Sequence, residues 1–115
     1  MTHGCLPGLQ VAISYGRRGE TTVELVGELD IASLSRLRRL LLALLEDCVR
    51  VAVDLRKLRF VDLPGVRLLV EVAAVAAGRD CRLEMEGASG QVARLLELTS
   101  ARPLLPFSAV SAVTS

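Results

Sequence analysis

Apolar and polar side chains alternate from Gln10 to Tyr15 and again from Thr21 to Val26. A period of two predicts two half-buried strands. Between them lies GRRGE, whose two glycines can supply the positive φ that a hairpin turn needs, so the strands are expected to pair antiparallel. GELD (Gly27 to Asp30) then breaks the strand pattern. Ile31, Leu34, Leu37, Leu41, Leu44, Leu45 and Cys48 recur at spacings of three and four, which predicts a helix with one apolar stripe. Arg36, Arg39, Glu46 and Asp47 fall largely outside that stripe. Asp30 stands where an N-cap carboxylate would accept from the free N–H groups of the first turn.

Val49 to Leu55 is short, β-branched and nearly all apolar, as expected of a central strand buried on both faces. FVDLPGVRLLVEVAA (Phe60 to Ala74) reads as a buried strand running into a helix that reaches about Ala77 and stops at Gly78. Cys81 to Met85 alternates as a further strand, and Val92, Leu95 and Leu96 give Gln91 to Leu98 a helical spacing. Arg102 to Phe107 carries two prolines, so any strand there should be short and at an edge. Residues 1–8 and 108–115 are expected as a flexible lead-in and tail around one domain over residues 9–107. The order is β-β-α-β-α-β-α, with a doubtful last strand. Strands alternating with helices predict an α/β sandwich with a mixed sheet of four to five strands covered by helices.

The head of the second helix carries Asp62-Leu63-Pro64-Gly65. Proline suits the first helical position, which would make Leu63 the N-cap. Leucine caps a helix about 1 kcal/mol less well than Ser or Asp. Such a local departure from the rule points to function.

Composition narrows the chemistry. With 115 residues and 51% hydrophobic side chains, but only 3% aromatics, the core must be built from Leu, Val and Ala. A mean hydropathy of +0.46 prompts a membrane check. No uninterrupted apolar run is longer than Leu40 to Leu45, far short of the roughly 18 residues a spanning helix needs. The N-terminal MTHGCLPGLQ lacks the basic and apolar regions of a signal peptide, so a cytoplasmic protein without membrane insertion is expected. A net charge of +1 gives no reason to expect a nucleic-acid partner. Three widely spaced cysteines and a single histidine fit neither a disulfide framework nor a metal site, and no cofactor is expected.

Three separated stretches, VELVGELDIAS, VAVDLRKLRFVDLPGVRLLVEVA and QVARLLELTSARPLLPF, together resemble the STAS domain of bacterial anti-sigma-factor antagonists. The resemblance runs from about Leu9 to Phe107 and implies a small STAS-like α/β sandwich. It also implies a function. Members of that family bind a serine-kinase anti-sigma factor and release the sigma factor it holds, until phosphorylation of a serine ends the binding. That serine directly follows the aspartate at the head of the second helix. Asp62 matches the aspartate and Gly65 matches the glycine, but the acceptor position is Leu63 and the next is Pro64. The usual phosphoacceptor is absent from its usual place.

The resemblance therefore implies an antagonist-like regulator that keeps a docking surface and lacks that switch. Glu28 and Asp30 in the turn before the first helix, with Asp62, Leu63, Pro64, Gly65 and Val66, would contact the kinase. Control of transcription would be indirect. The alternative is a non-phosphorylatable scaffold or regulatory subunit of a stress-signalling or lipid-transport complex. Glu28 and Asp30 have no histidine or nucleophile beside them in the sequence, so an enzyme is not expected. Arg36 to Arg39 reads as a solvated helix face. Leu40 and Leu42 lie off the main stripe, where they serve either a homodimer or packing against the hairpin. Cys48 and Cys81 stand near the starts of two parallel strands. Reduced buried thiols are their default in the cytosol, and a redox pair is the alternative.

Overall fold

The computed structural model describes the backbone of residues 2–6 and the full residues 8–47, 49–88 and 90–107. Its strands are β1 (Thr2–Leu6), β2 (Leu9–Tyr15), β3 (Glu20–Leu29), β4 (Arg50–Asp54), β5 (Leu58–Val61) and β6 (Arg82–Glu86). The helices are α1 (Leu34–Asp47), α2 (Leu63–Ala77) and α3 (Gly90–Leu98). The predicted α/β class holds, with one mixed sheet ordered β1-β2-β3-β4-β6 and β5 paired to β3. The β1–β2 and β2–β3 pairs are antiparallel, and the pairs made by β4, β5 and β6 are parallel.

Six strands stand where four to five were expected, for two reasons. Thr2–Leu6, read as a flexible lead-in, pairs along β2 from Leu6↔Leu9 to Thr2↔Ile13. Leu58–Val61 forms a separate strand because β3 is long enough to hold two partners on one edge. Its first half pairs with β4 and its last residues with β5. GELD therefore does not end β3. The strand passes through Gly27, where φ is +108° and the register shifts, and ends at Leu29. A Cβ at Gly27 would lie 2.6 Å from the Gly8 carbonyl oxygen, so only glycine permits this crossing.

The hairpin between β2 and β3 closes through a 3-10 turn at Arg17–Gly19. Only one of its two glycines uses positive φ: Gly19 at 77°, preceded by Arg18 at 62°.

Alternation builds a single core. Along β3, Val23, Leu25 and Leu29 are buried while Thr22 and Glu28 are exposed. Leu37, Leu41 and Leu45 of α1, Leu69 and Val72 of α2, and Val92 and Leu96 of α3 join them in one cluster. Ile31, assigned to the α1 stripe by spacing, is 75% exposed because residues 31–33 form a turn ahead of the helix. In β4 the middle residues Val51, Ala52 and Val53 are buried as expected, but its ends are not apolar. Arg50 meets Glu84 at 2.6 Å, and Asp54 faces Arg56 at 3.6 Å. The doubtful last strand is a 3-10 turn at Arg102–Leu104 and one parallel bridge from Phe107 to Met85. Gly78 ends α2 with φ at −91° rather than in the left-handed region, and the N–H groups of Gly78 and Arg79 donate to Val75 and Ala76.

Candidate functional site

The end of β3 and the head of α2 are built as one corner. Leu29 pairs with Val61, and the Asp62 N–H donates to the Leu29 carbonyl at 3.3 Å. Asp62 then adopts extended dihedrals, and its Oδ1 accepts the Gly65 N–H at 2.9 Å. The Val66 N–H donates to the Asp62 carbonyl at 3.0 Å, which starts the helical ladder. Asp62 is thus the N-cap, and Leu63 and Pro64 are the first two helical residues. The expectation of Leu63 as cap is corrected here. An aspartate can both extend toward the following residues and accept from the free N–H of N3, which leucine cannot. Proline is accommodated one position later than expected because the second N–H of a helix is also without a partner.

Gly65 is fixed by contact. A Cβ there would lie 2.6 Å from Val61 Cγ2 and 3.2 Å from Leu29 Cγ. Its lack of a side chain is what lets α2 start directly against β3 and β5. Val66 is 2% exposed and packs in the core, so its expected place on a docking surface is corrected. Val66 stands one turn further into α2 than Leu63, next to Gly65, where the helix is packed down on Val61 and Leu29. Leu63 is 42% exposed and Pro64 is exposed beside it.

Glu28 is exposed on the same corner. Asp30 does not cap α1. Its Oδ1 accepts the Ala32 N–H at 3.0 Å, and its carbonyl accepts from the Ser33 N–H and hydroxyl at 3.1 and 3.2 Å. The Leu37 N–H in turn donates to the Ser33 carbonyl, so the turn and not the carboxylate introduces the helix. The structure brings Glu28, Asp30, Asp62, Leu63 and Pro64 to one end of the sheet. Among the described residues no group of three or more His, Cys, Asp or Glu could hold a metal ion. No described helix is long and apolar enough to cross a membrane. Cys81 is buried at the start of β6, while Cys48 lies outside the described residues.

Residues 13–106 match the family described as "Mlab, STAS domain". The chain belongs to the STAS-domain family. No curated protein matches it. Among solved structures, this STAS chain is similar to the anti-sigma factor antagonist SpoIIAA in its unphosphorylated form. That match has 17% identity and a TM-score of 0.70, and it covers 90% of this chain and 92% of the other. An anti-sigma factor antagonist from Mycobacterium paratuberculosis matches at 19% identity and TM-score 0.70, covering 92% of each chain. SLC26A9 matches at 14% identity and TM-score 0.65, with 84% of this chain laid on 19% of that much longer one. At these identities the likeness establishes a shared fold.

Sequence reasoning missed the residues around Leu63. Leu98 at the end of α3 and Leu104 in the 3-10 turn are 72% and 62% exposed. Leu63 lines one hollow with Leu98 and another with Leu104. Leu98 falls outside the Val92–Leu95–Leu96 spacing, and that was the only signal available. Leu104 and Leu105 looked alike as a pair, but the turn buries Leu105 and leaves Leu104 outside.

Proposed function

We propose that this STAS domain is an anti-sigma-factor antagonist-like regulator that binds a serine-kinase anti-sigma factor and lacks the usual phosphorylation switch. Leu63 carries the reading. It occupies the position that follows the helix-head aspartate, where antagonists that resemble this chain keep their serine, and it is 42% exposed in first-turn helical geometry. A hydroxyl there would place an added phosphate on the helix dipole at the docking surface. A leucine offers apolar contact and accepts no phosphate. Glu28, Asp30, Asp62, Leu63 and Pro64 form the contact corner, and Gly65 supports it from below. The protein acts by binding and not by catalysis, in the cytoplasm, and affects transcription without touching DNA.

A pull-down from native cytosol, followed by calorimetry against a recovered serine-kinase anti-sigma factor with and without ATP, tests this. Tight binding that ATP does not reverse is expected. Leu63→Asp should weaken it severely; unchanged affinity would remove the α2 head from the interface.

A second reading has its own support. The same fold matches 17% of the chain of the murine Slc26a9 anion transporter, at 18% identity and TM-score 0.62. A STAS unit built into an assembly needs no phosphoacceptor. Recovery of only scaffold or transporter components, including those of a lipid-transport complex, would put that reading first, and stable self-association would also favour it.

A further inference from the structure

Leu63 stands between two hollows. A groove of about 870 Å³ separates the β5–α2 corner from α3 and is lined by Phe60, Leu63, Leu95, Leu98 and Arg94. On the other side of Leu63, a hollow of about 330 Å³ is lined by Val70, Leu104 and Arg67. Leu63, Leu98 and Leu104 thus make one exposed apolar patch with a guanidinium on each side.

The charges around that patch are unbalanced. Arg50, Arg56, Arg79 and Arg82 each face a carboxylate elsewhere on the molecule; nearer the patch, Arg38 faces Glu71 in a hollow that Arg67 also lines, and Arg102 faces Glu97 at 3.9 Å. Among the described residues, Arg67 and Arg94 make no ion pair, which is also true of Arg17, Arg18, Arg36, Arg39 and Arg59, but of these only Arg67 and Arg94 line the two hollows. The single carboxylate lining either hollow is Asp62, and its Oδ1 already accepts the Gly65 N–H. Apolar surface seeks a partner that excludes water, and a planar guanidinium donates paired hydrogen bonds to a carboxylate or a phosphate, of which an unmodified protein segment carries the carboxylate. A cationic partner would meet two arginines that no carboxylate pairs. A nucleic-acid strand would find one aromatic ring, Phe60, on which to stack.

We propose that the Leu63–Leu98–Leu104 patch docks a protein segment that presents apolar side chains flanked by carboxylates, with Arg94 and Arg67 as its specificity-determining contacts. This rests on the reading that the α2 head binds a protein partner, and it gives that partner a chemistry. The apolar side chains enter the two hollows beside Leu63. The carboxylates reach outward to the guanidiniums, one on α3 and one on α2, which fixes the orientation of the segment.

A displayed library of random peptides selected on the full chain tests the chemistry directly. Acidic peptides carrying two or more large apolar residues are expected to dominate. The double variant Arg67→Glu with Arg94→Glu should bind them at least about tenfold more weakly, and Leu98→Asp similarly. Peptides with the acids exchanged for lysine should regain binding to the charge-reversed protein. Arg67→Gln with Arg94→Gln, which removes charge without reversing it, should fall between; circular dichroism checks that each variant is folded. Enrichment of neutral or basic peptides, tighter binding of a single-stranded oligonucleotide at the same residues, or acidic peptides indifferent to the double reversal would each overturn the proposal. Two further outcomes separate it from the kinase reading. A kinase released by Leu63→Asp but held normally by the double arginine variant sinks the charge proposal and leaves that reading standing. Acidic apolar peptides that bind as expected, with no kinase bound, support the surface chemistry and sink the kinase reading.

Discussion

Asp62 Oδ1 accepts the Gly65 N–H at 2.9 Å, and this one bond sets where α2 begins and which residue the corner exposes. With Asp62 as cap, Leu63 is carried on the first helical turn and points partly to solvent. Asp62→Ala is expected to destabilise the fold by about 1 kcal/mol, the usual cost of losing an N-cap carboxylate. Urea denaturation would measure it. A neutral effect would mean that the Val66-to-Asp62 backbone bond starts the helix without help from the side chain.

Gly65→Ala should cost more than an ordinary surface change. Its Cβ would press on Val61 Cγ2 at 2.6 Å and on Leu29 Cγ at 3.2 Å, both belonging to buried residues with little room to move. Overpacking of this kind costs about 1–3 kcal/mol. A denaturation midpoint equal to that of the wild type would show that α2 can lift from the sheet freely.

Leu63→Ser is the complementary change to Leu63→Asp. Because the residue is 42% exposed, stability should fall by no more than about 1 kcal/mol. If the kinase reading holds, the variant should incorporate one phosphate from ATP in the kinase's presence and then lose affinity, while the wild type does neither. Phosphate transfer to the wild-type chain would locate the switch elsewhere.

Arg38 and Glu71 tie α1 to α2, with Arg38 Nε donating to Glu71 at 2.8 Å. The hydrogen bond from Arg38 chiefly holds the Glu71 carboxyl below the usual carboxylate range; burial opposes it, and the Arg38 charge adds a smaller lowering effect. A depressed folded-state value means that the ionised pair stabilises the fold above the unfolded glutamate value of about 4.3, and that this is lost as pH falls through the folded value. The stability gap between wild type and Glu71→Ala should therefore be constant near neutrality and narrow as the medium is acidified. Both side chains are about half exposed, so the gap should also shrink with salt. A gap that ignores pH would assign the effect of the mutation to packing.

Much of this was legible in the chain. Alternation along Gln10–Tyr15 and Thr21–Val26, the Leu37–Leu41–Leu45 stripe and the strand-to-helix reading of Phe60–Ala74 each became an element of the predicted type. They did so because period two and period 3.6 are properties of the backbone that any burial against a single core must respect. The Asp62–Gly65 corner could also be found by its residues, though its cap was placed one position late. Aspartate capping and proline at the second helical position lie one residue from the pattern expected, and local rules do not separate the two.

What only the tertiary structure decided is which apolar residues are spare. Val66 and Leu63 are three apart on one helix, yet one enters the core and the other stays outside, because Gly65 brings α2 down on Val61 and Leu29. Leu98, Leu104, Arg67 and Arg94 come from α2, α3 and a turn near the C-terminal end, and no local pattern joins them. Sequence determined most of the elements and the leucine at position 63, since both are written in single residues and short spacings. Packing determined the surface around that leucine, since burial depends on neighbours that the folded chain brings from far along its length.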